Sequence, residues 1–233
     1  MSELAKAVVV VPAHNERTRL PRCLRALATA ALCVPVPTST VVVLDACDDG
    51  SESLAGDFGP DVHLVSVDAR NVGAARAAGF SYAASLCADA GPTRTWFATT
   101  DADSVVPADW LVRMMQSGAD MVLGVVRIPV WRHHPADVVR RYLRGYHSGG
   151  GSHDHVHGAN MGFRADAYWH VGGFRPLTTG EDAELVDRFE CAGMRIARDA
   201  GLSVATSDRC QGRAPKGFAA HLRSLSRSAG GRR

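Results

Sequence analysis

Two carboxylates one residue apart end an apolar run: Trp96-Phe97-Ala98-Thr99-Thr100 leads straight into Asp101-Ala102-Asp103. On an extended backbone such a pair points the same way. Two carboxylates aimed into one crevice repel each other, and a hard divalent cation held through oxygen would relieve that repulsion. D-x-D alone is a common sequence, and a polar strand end or Asx turn is its ordinary explanation. A second acidic group, Gly180-Glu181-Asp182-Ala183-Glu184, opens a helical stretch. The helix dipole favours acids there without any chemistry. His153, His155 and His157 form a third group. At alternate positions they share one face if extended, and imidazole suits zinc.

Periodicity supplies the elements that position these groups. Ala7 to Val11 is a continuous β-branched run, as in a parallel strand covered on both faces. The turn Pro12-Ala13-His14-Asn15-Glu16 follows, then Leu20, Leu24, Leu27 and Ala31 at helical spacing, ended by Pro35 and Pro37. Thr40–Leu44 and Val62–Val67 are the second and third strands, separated by the polar turn Asp45–Ser51 and a short helix. Ala74–Ala90 reads as a close-packed helix with Asn71 as N-cap, and Gly73 lets another group approach its start. Trp96–Thr100 is the fourth strand, Pro107 opens a helix through Met115, and Met121–Val126 is the fifth strand. This alternation predicts an α/β protein with a mostly parallel, doubly wound sheet.

Beyond Pro129 the pattern is irregular. Val138, Val139, Tyr142, Leu143 and Tyr146 share a helical face, with Arg140, Arg141 and Arg144 off it. Such a stripe more commonly packs on a sheet than on a membrane surface, so peripheral membrane contact is the minority reading. Helices are expected at Arg164–Val171, Asp182–Ala192 and Lys216–Arg227, with short strands near Arg195–Ala197 and Leu202–Thr206. Residues 1–223 read as one domain, divided near 126 into two halves, with 224–233 as a basic tail.

The totals exclude several classes. At 233 residues, 46% hydrophobic and 21% charged, the chain suits one well-buried domain. A net charge of +2 gives no strong attraction to nucleic acid. The six cysteines show no C-x-x-C spacing, and no stretch approaches the ~20 apolar residues of a spanning helix. A reducing cytoplasm, including the inner face of the membrane, is expected. The first strand is followed by His14-Asn15-Glu16, neither G-x-G-x-x-G nor a P-loop, which weighs against an NAD enzyme and a P-loop kinase.

Five motifs then occur in order: Val9-Val10-Val11-Pro12-Ala13-His14-Asn15-Glu16, Asp48-Asp49-Gly50-Ser51, Arg70-Asn71-Val72-Gly73-Ala74-Ala75-Arg76, Asp101-Ala102-Asp103 and Gly180-Glu181-Asp182. Together they resemble the motif series of family 2 glycosyltransferases over roughly residues 7 to 225. The resemblance implies the GT-A fold and a UDP- or GDP-linked sugar donor. It places base and ribose at Pro12–Glu16 and at the acids after the second strand, where either Asp45 or Asp48 meets the base. Asn71, Gly73 and Arg76 would face ribose and diphosphate. Asp103 would hold Mg²⁺ or Mn²⁺, Asp101 assisting or contacting ribose, with His221 as a further ligand. Arg209 and Arg213 are alternative diphosphate clamps that would neutralise charge without a metal. Asp182 becomes the base in an inverting transfer, Glu181 orients the acceptor or caps the helix, and Gly158 and Asn160 belong to the acceptor and donor-sugar pocket. The acceptor is a small molecule or a lipid-linked sugar, and oligomeric state is not specified. The alternatives are a metal-dependent hydrolase using His153, His155 and His157, and a non-catalytic GT-A domain that binds a nucleotide sugar.

Overall fold

A computed structural model describes residues 3–146 and 153–209. Seven strands form one sheet in the order β3-β2-β1-β4-β6-β5-β7. They are β1 (Lys6–Ala13), β2 (Thr38–Asp45), β3 (Val62–Val67), β4 (Thr95–Thr99), β5 (Met121–Arg127), β6 (Met161–Arg164) and β7 (Ile196–Ala205). The helices are α1 (Leu20–Leu32), α2 (Val72–Leu86), α3 (Trp110–Gln116), α4 (Ala136–Tyr146), α5 (Ala165–His170) and α6 (Glu181–Cys191). Strands β3, β2, β1 and β4 are parallel, with Val10 opposite Val41 on one side and Thr99 on the other. The expected mostly parallel sheet is present.

Alternation along β1 sorts its valines between two cores. Val9 and Val11 join Leu20, Leu24, Trp96, Trp110 and Met114 on the α1–α3 side. Val8 and Val10 join Phe80, Phe97, Phe163, Tyr168 and Phe189 on the α2–α5–α6 side. The Phe80 ring lies 4.8 to 5.3 Å from the rings of Phe97, Phe163 and Tyr168. Truncating so well packed an aromatic costs about 3–5 kcal/mol.

Three differences from the sequence reading bear on the site. Met161–Arg164, where no strand was expected, is strand β6, antiparallel to both neighbours and inserted between β4 and β5. The two short strands expected near 195–206 are one strand, β7, whose register slips opposite Gly124 and Val125. The slip leaves carbonyls that need donors, and the Asn160 amide supplies them to Val125 and Leu202, both at 2.8 Å. On α4, Val138 and Tyr142 are buried as the packing reading requires, while Leu143 is exposed. The expected helix Lys216–Arg227 and the tail lie outside the described residues.

Candidate active site

Every polar group singled out in the first half lies at the carboxyl ends of β1, β2, β3 and β4, where ligands bind in open α/β sheets. The backbone there is strained. Asn15, Ala46 and Arg70 have φ of 55°, 50° and 49°, a left-handed conformation costing roughly 1–2 kcal/mol per residue. Asp45 holds much of this edge in place, because its buried carboxylate accepts from the backbone N–H of Ala69, Arg70 and Asn71 at 2.7 to 2.9 Å. Asp49 is engaged likewise, by the N–H groups of Arg17 and Ser51 and by the Ser51 hydroxyl. Asp48 differs: it is exposed, and among the described residues it pairs with Asn15, whose amide donates to its Oδ1 at 2.6 Å and accepts from its backbone N–H at 2.9 Å. His14 meets the Asp45 carbonyl at 2.6 Å, while Pro12 and Ala13 are buried at the end of β1.

Asn71 caps α2, accepting from the Ala74 N–H at 2.9 Å, and its amide reaches the Leu177 carbonyl. Gly73 is required by close approach: a Cβ there would lie 2.2 Å from the Arg175 carbonyl oxygen. That contact is to the segment leading into α6, so the space beside Gly73 is filled by protein. One turn on, Arg76 points inward. Its guanidinium, whose side chain is 3% exposed, donates to Asp101 at 2.8 Å and to Glu181 at 2.5 Å. It also stands 5.5 Å over the Phe174 ring. Burial alone would lower the Arg76 pKa; Asp101, Glu181 and Asp182 outweigh it and hold the group protonated. This single residue ties the D-x-D turn to the start of α6.

Asp182 lies beside the same guanidinium. Its Oδ2 accepts from the Gly158 N–H at 2.9 Å, and a Cβ on Gly158 would lie 2.4 Å from Arg76. The expected pocket residue Asn160 is in a different position. It is fully buried, donating to Val125 and Leu202 and accepting from the Trp110 indole at 2.8 Å, so its amide hydrogens serve the β5–β7 slip. Asp101 feels opposing effects: desolvation raises its carboxyl above the ordinary value, Arg76 pulls it down, and Asp103 raises it again.

Asp103 is held from the other side. Its Oδ2 accepts from the Ser207 hydroxyl at 2.5 Å and from Arg209 at 2.6 Å, and Arg209 reaches on to Glu16 at 2.7 Å. Its Oδ1 is buried and accepts no hydrogen bond from a described residue. A cleft of ≈ 140 Å³ beside it is lined by Arg19, Arg22, Thr206 and Ser207. An orphaned carboxylate oxygen fits a hard cation, and the arginines of the cleft fit the phosphate that would accompany it. Among the described residues no group of three or more His, Cys, Asp or Glu side chains is arranged to hold a metal. Mg²⁺-type sites commonly take one or two carboxylates and complete the shell from water and substrate phosphate. Asp103 with Asp101 fits that description. His221 and Arg213 lie outside the described residues.

The three histidines share a face as expected, but they stack in a row. Ring centroids are 5.9 Å apart at both steps, with interplanar angles of 18° and 22°. A stack of parallel rings does not aim its nitrogens at one point, which removes the support for a zinc hydrolase. Ser207 and Phe174 were missed in the sequence. No local signal marks Phe174; Ser207 follows a strand end and is visible only once β7 places it beside Asp103.

The profile of glycosyl transferase family 2 matches residues 8–172. No curated protein sequence matches the chain. Among solved structures, Staphylococcus aureus TarS (residues 1–349) in complex with UDP-GlcNAc is similar at 14% identity and a TM-score of 0.64, covering 95% of this chain and 65% of that one. A longer S. aureus TarS structure is also 14% identical, with a TM-score of 0.61, over 87% of this chain and 37% of that one. The mannosyltransferase PcManGT of Pyrobaculum calidifontis in complex with GDP-Man and Mn²⁺ is 19% identical, with a TM-score of 0.61, over 91% of this chain and 59% of that one. The chain thus spans less than two thirds of the length of each. With the profile covering well over half of its residues, the chain belongs to glycosyl transferase family 2.

Proposed function

We propose that the protein transfers a sugar from a UDP- or GDP-linked donor to an acceptor hydroxyl with inversion at the anomeric carbon. The observation that supports this most directly is the Arg76 junction. It brings the D-x-D turn and Asp182 together at the carboxyl edge of the sheet, in a chain whose family transfers sugars. Of the three acids after β2, Asp45 and Asp49 are taken up by backbone donors. Asp48 is therefore assigned to the base, where uracil or guanine offers N–H groups to a carboxylate.

Asp103 would hold the divalent cation through Oδ1, with Asp101 nearby. A cation bound there supplies positive charge that stabilises the departing diphosphate. Asp182 takes the proton from the acceptor hydroxyl, and the Gly158 N–H fixes the carboxylate in position to do so. Attack opposite the leaving group gives inversion. Glu181, turned into Arg76, positions the start of α6 and has no free path to an acceptor. No described helix is long and apolar enough to cross a membrane.

A thermal-shift screen of UDP- and GDP-sugars with Mn²⁺ tests this reading, because a donor bound only by the folded state raises its melting temperature. A clear rise is expected for at least one donor. No rise with any of them, together with no sugar transfer or donor hydrolysis, would count against it.

A further inference from the structure

Arg209 comes from the segment after β7, over a hundred residues from Asp103, and it sits where a divalent cation would be expected to act. Asp103 and Glu16 have side chains only 2% and 3% exposed, and Arg209 bridges the two. Burial alone would lower the Arg209 pKa, and Asp103 and Glu16 raise it, so the guanidinium is a fixed positive charge. Arg76 already performs this office for Asp101, and Arg19 adds a second partner for Glu16 at 3.2 Å.

We propose that Arg209 is a built-in competitor of the divalent cation at Asp103, and that it makes cation binding depend on the donor diphosphate. This rests on the reading of Asp103 as the metal carboxylate. The two oxygens of Asp103 are the ends of one carboxylate: Oδ2 carries Arg209 and Ser207, and Oδ1 accepts no hydrogen bond from a described residue. A dication on Oδ1 therefore lies within a carboxylate's width of the guanidinium, in a site from which water is largely excluded. Like charges at that separation repel strongly unless an anion joins them. A diphosphate is such an anion. It ligates the metal with one set of oxygens and accepts from the displaced guanidinium with another. Arg209 is 26% exposed where Arg76 is 3% exposed, so displacing its guanidinium gives up less burial. Ser207 still holds Oδ2 when it does, so the orientation of Asp103 survives.

The experiment is calorimetric titration of Mn²⁺ into the full chain without nucleotide, for wild type, Arg209→Met and Arg209→Lys. Melting temperatures confirm that each variant is folded, and Arg209→Gln stands in if the methionine variant is not. Arg209→Met is expected to bind Mn²⁺ about tenfold more tightly than wild type, and Arg209→Lys to stay near wild type because the charge remains. Adding UDP or GDP should tighten Mn²⁺ binding in wild type and do so much less in Arg209→Met. Mn²⁺ binding in Arg209→Met that is unchanged or weaker, yet lost in Asp103→Ala, would overturn the competition and leave the metal site standing. Binding by neither wild type nor Arg209→Met would overturn both, while the donor thermal shift still reports on the glycosyltransferase reading.

Discussion

The two arginines that hold the D-x-D turn sit on opposite sides of it and differ in kind. Arg76 is enclosed: its side chain is 3% exposed, two carboxylates flank it, an aromatic ring lies under it, and Gly158 leaves room for it. It joins α2, the end of β4 and the start of α6, so any movement would disturb three elements at once. Arg209 is half open and joins the β1–α1 turn to a segment beyond the last strand. One guanidinium is structural cement, and the other is an exchangeable counter-ion. The same chemical pair thus serves architecture on the acceptor side and ligand exchange on the donor side, and burial decides which.

The largest effect is expected at the acceptor side without disturbing the Arg76 junction. Asp182→Asn keeps the shape and the place beside Gly158 but removes the proton acceptor. Transfer should fall roughly 10²–10⁴-fold, with donor affinity by calorimetry almost unchanged. Turnover within a few-fold of wild type would remove Asp182 from the chemistry. Next, Arg76→Met strands Glu181 and Asp101 as buried or half-buried charges with no partner. A loss of about 3–5 kcal/mol is expected in urea denaturation. Arg76→Lys should recover only part of it, since an ammonium cannot reach both carboxylates with the planar fork of arginine.

How much of this is legible in the sequence follows from how local each cause is. The strands β1 to β5 announce themselves as β-branched runs bounded by turns, because burial on both faces demands it. The Asn71 cap lies three residues from the N–H that it accepts. Strand β6 was missed because its four residues carry no alternation and pass directly into α5. Asp45 and Asp48 look alike in the sequence; only the fold shows that backbone donors from residues 69 to 71 converge on Asp45. The family resemblance places Asn160 in the pocket together with Gly158, yet Asn160 answers a register slip in β7 that no local pattern encodes. Arg209 reads in the sequence as a diphosphate clamp alongside Arg213. That it spans Glu16 and Asp103 is a relation across most of the chain.

The exchangeable arginine should matter much less to folding than the cemented one. Arg209→Met leaves Glu16 its partner Arg19 and leaves Asp103 its bond from Ser207. A cost of about 1–2 kcal/mol is expected by urea denaturation, under half that of Arg76→Met. Equal losses in the two variants would erase the distinction drawn between them.

The smallest effect is expected in the histidine row that leads into Gly158, and it sharpens the boundary of the cemented side. Burial lowers the His153 pKa, against a bond to the Leu123 carbonyl at 3.2 Å that favours the protonated ring. At neutral pH and above, the ring is uncharged in both folded and unfolded chains, so it contributes no pH dependence. As the pH falls through the unfolded value near ~6.5, the unfolded chain takes up the proton first. The folded state therefore loses stability over that interval, until the folded ring titrates as well. His153→Gln removes the titration and keeps a polar side chain. Its melting temperature should fall less than that of wild type between about pH 7.5 and 5.5, by about 2 °C on the scale of a domain this size. Identical slopes would mean that His153 is hydrated enough to titrate like free histidine, and that the rigid region ends at Gly158.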